Sequence, residues 1–195
     1  YDSTANDNDG TQGYNVEATG KIADGQQFDG TDDYIQISGL LGSPTDITIS
    51  AWVNLTAKDT DGANVVTLGD SVGLRLDSSY WGTNDSGGYY YHGSDWNDTT
   101  TNDTLAATGW HYVVFVNDDS ANSQKVYIDG VEEGSSTYTQ SISYTQGSNT
   151  FIGKHGNGET TWDFNGVSDE VRISKTVRDQ CWIETEHSNQ DDPSS

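Results

Sequence analysis

The chain has 195 residues, 31% of them apolar and 11% aromatic, and eight Lys plus Arg against 31 Asp plus Glu give a formal charge of −23. Six Trp, eleven Tyr and four Phe supply the rings of an ordered core that a disordered acidic chain lacks, and the length suits one domain. So few cations cannot replace the counterions of DNA or RNA, which excludes a phosphate-backbone binder, and no run of 18 apolar residues offers a membrane span.

The hydrophobic period is two. Asp33 to Ser38 alternates with Ile35 and Ile37 on one side, and predicts a strand. Ile47, Ile49, Ala51 and Val53 alternate with Thr48, Ser50, Trp52 and Asn54, a strand with one strictly apolar face. Shorter strands are expected around Val65–Leu68, Val72–Leu76 and Tyr89–His92. The run from Trp110 to Val116 is apolar on both faces and predicts a central strand covered on both sides. Lys125 to Glu132 reads as a hairpin turning at Asp129-Gly130. Strands follow near Thr150–Gly153 and Val167–Ser174, then one helix, roughly Val177 to His187, docked by Val177, Cys181, Trp182 and Ile183. Ser188 to Ser195 reads as a linker stub, so residues 1–187 form one domain. Gly, Asn, Asp, Ser and Thr clusters separate these runs every ten residues or so. This predicts an all-β, two-sheet antiparallel jelly-roll sandwich with one short C-terminal helix.

The acids are 24 Asp and seven Glu, and Asp gathers in turns and at cation sites. The chain has no Met and reads as a segment of a longer protein. Its one cysteine, Cys181, forms no internal disulfide and leaves the redox compartment unread. Asn54, Asn84, Asn97 and Asn102 each begin an Asn-x-Ser/Thr sequon, which leans toward an extracellular or cell-surface setting.

Five ordered pieces carry a resemblance: Asp2 to Thr11, Gly25 to Ile35 (with Phe28-Asp29-Gly30-Thr31-Asp32-Asp33-Tyr34), Ile47 to Val53, Trp110 to Val113 followed by Val126 to Gly130, and Phe164 to Ile173. Together they resemble the laminin-G-like branch of the concanavalin A-like lectin/glucanase superfamily over nearly the whole chain. The resemblance implies a two-sheet jelly roll, often with a structural calcium ion and a ligand face on a sheet or loop rim. It implies no catalytic activity, because lectins, adhesion modules and glucanases share this fold.

Asp29, Asp32 and Asp33 place three carboxylates within five residues around a Gly turn, and a divalent cation needs several hard oxygens of this kind. Asp169 shares strand parity with Val171 and Ile173, so it is expected to point toward the core, where an unpartnered carboxylate is costly. Calcium shared by Asp29 and Asp169 satisfies it, with Asp32 or Asp33 and the carbonyl of Thr31 completing the set. The alternative is that Asp29 and Asp169 cap turn amides without metal. Asn6 to Gly10 and Asp59 to Gly62 mimic parts of an EF-hand loop but have Ala in the first-ligand position and no closing Glu, so they read as turns.

The segment from Tyr80 to Asn97 has the composition of a sugar site, in which rings stack on sugar C–H faces and polar groups hold the hydroxyls. Trp81, Tyr89, Tyr90, Tyr91, Asp95 and Trp96 are the candidates there, with His155 and Trp162 from a second loop; the alternative is that the rings plug the sandwich under long loops. Trp52 and Trp110 read as structural. The Glu-x-Asp-x-x-Glu strand of related laminarinases has no counterpart here. Asp169-Glu170 are adjacent, the four His have no zinc spacing, and His111 reads as a packed strand residue, so no catalytic residue is assigned. The expected function is a non-catalytic, calcium-stabilised, carbohydrate-binding module of an extracellular protein. A protein–protein adhesion or spacer domain and a divergent glycosidase are the alternatives. Partners are a glycan or a cell-surface protein, without nucleic acid or membrane insertion, and the isolated domain is expected to be a monomer. A charge of −23 favours neutral sugars over acidic polymers.

Overall fold

Alternating side chains and frequent turns pair here into two antiparallel sheets. The computed structural model describes residues 2–6, 8–82 and 84–192. Along the chain come β1 (Thr11–Gly13), β2 (Val16–Thr19), β3 (Asp24–Asp29), β4 (Tyr34–Ser38) and β5 (Ile47–Ala57). Then follow β6 (Ala63–Leu68), β7 (Val72–Ser78), β8 (Asp85–Tyr91), β9 (Trp96–Thr100) and β10 (Trp110–Asp118). The hairpin β11 (Ser123–Ile128) and β12 (Val131–Ser136), β13 (Asn149–Ile152), β14 (Asn165–Ser174) and α1 (Gln180–Asp191) complete it. The first sheet is ordered β1-β4-β13-β6-β7-β8-β9 and the second β12-β11-β10-β5-β14-β3-β2, seven strands each. This is the jelly-roll sandwich that the strand pattern predicts.

The core between the sheets follows the parity of the sequence. Ile47, Ile49, Ala51 and Val53 of β5 and Val113 and Phe115 of β10 meet Val66, Leu68, Val72, Leu74 and Leu76 of β6 and β7. Each of the Val, Leu, Ile and Phe side chains, fully buried, contributes about 1.5–3 kcal/mol. The ring of Phe115 rests on Gly88 of β8, in the space that a Cβ there would need, so only Gly fits. On the other face of the second sheet, Trp52, Tyr112, Val114, Val116 and Tyr127 form a separate cluster under Ile183 of α1. That cover is why β10 is apolar on both sides. The turn at Asp129-Gly130 has φ of 52° and 82°, the paired left-handed residues that a two-residue hairpin requires.

The helix differs from expectation at both ends. Asp179 is its N-cap, accepting from the Trp182 N–H at 2.8 Å, so the first turn starts at Gln180. Cys181 is then exposed and takes no part in docking. The helix runs through Asp191, four residues into the stretch read as a linker stub; Pro193, Ser194 and Ser195 of that stub lie outside the described residues. The extra turn is held by contacts: Gln190 Oε1 accepts from Trp52 Nε1 at 2.6 Å, His187 stacks on Trp52, and Lys21 pairs with Asp191. Four short strands, β1, β2, β3 and β9, also go beyond the sequence reading. Among the described residues no helix is long and apolar enough to cross a membrane.

α1 covers the second sheet; on the first, β6 and β7 are buried at every position and β8 at every position but Tyr91, so its outer face is covered at the centre and open at the β9 edge, where Trp96 is exposed.

Candidate functional site

The acid-rich turn follows β3. Gly30 takes φ +76°, which lets the chain reverse, and Asp29 Oδ1 accepts the Thr31 N–H at 2.8 Å while Asp33 Oδ2 accepts the Asp29 N–H at 2.7 Å. Asp29, Asp32 and Asp33 each bring one carboxylate oxygen within 4.8 Å of the others. Burial pushes the Asp33 carboxyl up, with Asp29 and Asp32 adding repulsion, while the Asp29 N–H opposes the shift. Three hard oxygens beside a turn carbonyl suit a divalent cation of calcium's kind.

Asp169 does not join them. In the ladder of β14 with β3, Asn165 lies opposite Asp29 and Ser168 opposite Gln26. Asp169 is thus four residues further along, about 13 Å at 3.3 Å per residue. Its side is also reversed. An irregularity between Asp169 and Arg172, with Glu170 at φ +50°, inserts one residue and flips the parity, so Asp169 pairs with Trp52 on the α1 side while Ile173 pairs with Ile49 on the core side. There Asp169 accepts from the N–H groups of Ile22 at 2.9 Å and Glu170 at 2.8 Å. The expectation of an inward Asp169 sharing a cation with Asp29 is corrected: it caps backbone donors.

The aromatic candidates divide by parity. Leu74 and Leu76 of β7 face the core, so Arg75 between them faces outward, beside its ladder partner Asn64 of β6. Arg75 Nε donates to Asn64 Oδ1 at 2.8 Å. The guanidinium carbon lies 3.6 Å from the ring centre of Trp162, 4.3 Å from Tyr89 and 5.4 Å from Trp81. Trp162 is held there because its carbonyl accepts the Asn64 N–H at 2.8 Å. His155 stands 6.0 Å from Trp162, with Nε2 3.2 Å from Asp70 Oδ1 and Nδ1 2.8 Å from Asn157 Oδ1. Trp81, Tyr89 and Trp162 therefore meet around one buried arginine, with His155 against Trp162; Tyr89, His155 and Trp162 are themselves buried, and Trp81 is half-open. No Asp or Glu lies within 4.0 Å of that arginine among the described residues.

Tyr91 and Trp96 form the adjoining pair, ring centres 4.8 Å apart, and Trp96 Nε1 donates to the Asp70 carbonyl at 3.3 Å. Asp95 is exposed next to them, its Oδ1 accepting the Trp96 N–H. Tyr90 does not belong to this surface. It pairs with Val72, turns into the core at 1% exposure, and donates its hydroxyl to the Gln140 carbonyl.

Several buried polar groups here escape the sequence reading. Asn64 Nδ2 has no hydrogen-bond partner, nor has either carboxylate oxygen of Asp163, a residue 1% exposed in the loop before β14. Burial pushes Asp163 up to about 6, eased by Lys154 and raised further by Asp59. Arg75 carried a visible signal, a lone cation inside the apolar alternation of β7; Asp70 and Asp163 carried none.

A third cluster lines a cleft of about 330 Å³. Thr108 Oγ1 is 2.9 Å from His111 Nε2, and His111 Nδ1 is 2.7 Å from Asp129 Oδ2, the order of a nucleophile, base and orienting acid. The details favour a structural tie. The Thr108 hydroxyl already donates to the Leu105 carbonyl. The Asp129 hydrogen bond raises the His111 pKa, favouring an imidazolium that donates from both nitrogens instead of a free base.

Comparison with known proteins follows from this geometry. Residues 29–184 match the family model described as Concanavalin A-like lectin/glucanases superfamily. Among solved structures, the chain is similar to domain 4 of AbnA, a GH43 extracellular arabinanase from Geobacillus stearothermophilus, in complex with arabinotriose. They share 23% identity and a TM-score of 0.75 over 94% of this chain and 90% of that one. A putative carbohydrate binding protein from Bacteroides ovatus aligns with TM-score 0.63 and 18% identity over 77% of this chain and 43% of its own. The binding domain of Paraclostridial Mosquitocidal Protein 1 aligns with TM-score 0.74 and 13% identity over 95% and 48%. These likenesses establish the shared fold. A search of curated sequences finds no match.

Proposed function

The chain belongs to the concanavalin A-like lectin/glucanase superfamily, and from that membership we propose that it is a non-catalytic carbohydrate-binding module, stabilised by calcium, of a secreted or surface-borne protein. The observation that carries this reading is the outer face of the first sheet. Half-open Trp81 and Tyr91 and exposed Trp96 stand there, with the exposed side chains of Asp95 and Asn157 at the same surface over the buried Asp70, His155 and Arg75. Rings with adjacent hydrogen-bonding groups are what a sugar requires, since its C–H faces stack while its hydroxyls both donate and accept. The solved structures named above support the reading: one was determined with arabinotriose, and another is described as a putative carbohydrate binding protein. The four sequons support the extracellular setting. A glycan array probed with the isolated domain tests the main reading. Binding of at least one neutral glycan, weakened tenfold or more by Trp81→Ala, is the expected result; an array without a positive glycan overturns it.

Calcium is assigned to the turn of Asp29, Asp32 and Asp33, with the Thr31 carbonyl as a further oxygen. A ligand that binds only the folded state at 100 times its Kd adds about 2.7 kcal/mol, which moves the Tm of a domain of this size by several degrees. Calcium is therefore expected to raise the Tm and EDTA to reverse it. Asp32→Asn should abolish that response, because Asp32 is exposed and its removal leaves the bonds of Asp29 and Asp33 in place. A Tm indifferent to calcium and EDTA sinks the metal assignment and leaves the sugar reading standing.

A further inference from the structure

Two rings on this surface stand more open than the rest. Tyr80 is 72% exposed and Trp96 is 44% exposed, and they lie on opposite sides of the polar cluster. An unbroken series of contacts joins them. Tyr80 tilts against Trp162 with ring centres 5.1 Å apart, and Trp162 is 6.0 Å from His155. His155 reaches Asp70 at 3.2 Å, and the Asp70 carbonyl holds the indole of Trp96 at 3.3 Å. β7 gives the scale. The Trp96 end is fixed at the turn of Asp70 and Ser71, and the Trp162 end lies over Arg75. Four residues of strand from Ser71 to Arg75 make about 13 Å. One sugar ring does not bridge that distance.

The groups between are polar and acidic. Asp70 and His155 pair with each other below the surface, at 8% and 3% exposure, while Asn157, bonded to His155, and Asp95, beside Trp96, are exposed. Arg75 is 7% exposed and its cationic face is covered by the rings, so it does not offer a carboxylate an open partner. Beneath the rings, Asn64 Nδ2 is buried without a partner.

From these observations we infer that the face binds a linear, uncharged glycan along its length, with Tyr80 and Trp96 stacking on sugar rings toward its two ends and the exposed Asn157 and Asp95 side chains reaching its hydroxyls. The inference rests on the carbohydrate reading above and adds the shape and charge of the ligand. An end-on pocket takes one terminal sugar and gains nothing from further residues. A lengthwise groove gains affinity with each residue until both rings are covered. The chain's charge of −23 and the exposed Asp95 beside Trp96 oppose a polyuronate.

Titration calorimetry with α-1,5-arabino-, xylo-, cello- and laminari-oligosaccharides of two to six residues, and with oligogalacturonates of the same lengths, tests this. In at least one neutral series affinity should rise tenfold or more from the disaccharide to the hexasaccharide, and oligogalacturonates should bind more weakly than that series. Trp96→Ala and Tyr80→Ala should each weaken the hexasaccharide at least tenfold and the disaccharide less than threefold. Both rings are open, so each variant should retain its Tm, which controls for misfolding. Affinity independent of length, or tighter binding of the oligogalacturonates, overturns the lengthwise, neutral ligand and leaves carbohydrate binding intact. Silence of every series together with an empty glycan array overturns both.

Discussion

Asp163→Asn is expected to stabilise the metal-free protein at pH 8 by about 2–3 kcal/mol, although it removes a charge from an already soluble domain. Asp163 is 1% exposed, and neither carboxylate oxygen has a hydrogen-bond partner. Burial therefore disfavours the anion and lifts its folded pKa from 3.8 to about 6, with Lys154 and His155 relieving part of the cost and Asp59 and Asp29 adding to it. The folded value lies above the unfolded one. The protein thus has its full stability from this group below pH 3.8 and loses it as the pH rises through about 6. The gap of about two units corresponds to roughly 3 kcal/mol; the amide that replaces the acid is itself unpartnered, which keeps the gain below that figure. Urea unfolding in EDTA at about pH 3, 5 and 8 should show almost no benefit at the lowest pH, about half in the middle and the full one at the highest. A variant no more stable than the parent at pH 8 would show that the anion has a partner there. The EDTA matters, because a cation bound at the nearby acidic turn would also ease the anion.

The same residues show where sequence reading succeeds and where it stops. The alternation of Ile47, Ile49, Ala51 and Val53 announces a strand because one residue in two must enter a core, and those four side chains do. The two-faced apolar run of β10 likewise announces its double cover. Trp96 to Thr100 has no such alternation: β9 is an edge strand held by its ladder to β8, and backbone pairing leaves no hydrophobic signature. Asp169 departs from the parity expectation for a different reason. Parity counting assumes a regular strand, and one residue at Glu170 with positive φ moves every side chain before it to the other face. For the site, composition points to the segments that carry the rings: Trp81, Tyr89 and Trp162 gather around Arg75, but Tyr89 and Trp162 are buried there and Tyr90 turns into the core. It could not find their centre, because Arg75, Asn64 and Asp70 are polar residues separated from Trp162 by most of the fold and joined only by sheet pairing.

Arg75→Ala should cost about 3–5 kcal/mol of stability and abolish glycan binding, the largest loss expected from any single polar residue of the face. The guanidinium is the floor on which three rings rest, at 3.6 Å from Trp162, 4.3 Å from Tyr89 and 5.4 Å from Trp81. Partly desolvated cation–π contacts contribute about 0.5–2 kcal/mol each. Truncation also strips Asn64 Oδ1 of its donor while its Nδ2 is already unpartnered, and an orphaned buried amide costs about 1–3 kcal/mol more. Loss of binding and loss of folding must be separated, and Arg75→Met does so. Methionine fills most of the space and keeps apolar contact with the rings, so it should recover part of the stability. Without a charge to hold Trp162 and Trp81 at fixed tilt, it should leave glycan affinity at least tenfold down, with the indole fluorescence of those rings shifted to the red. A methionine variant that folds and binds glycan as tightly as the parent would mean that the caged arginine serves packing alone, and that sugars are read entirely by the open rings beyond it.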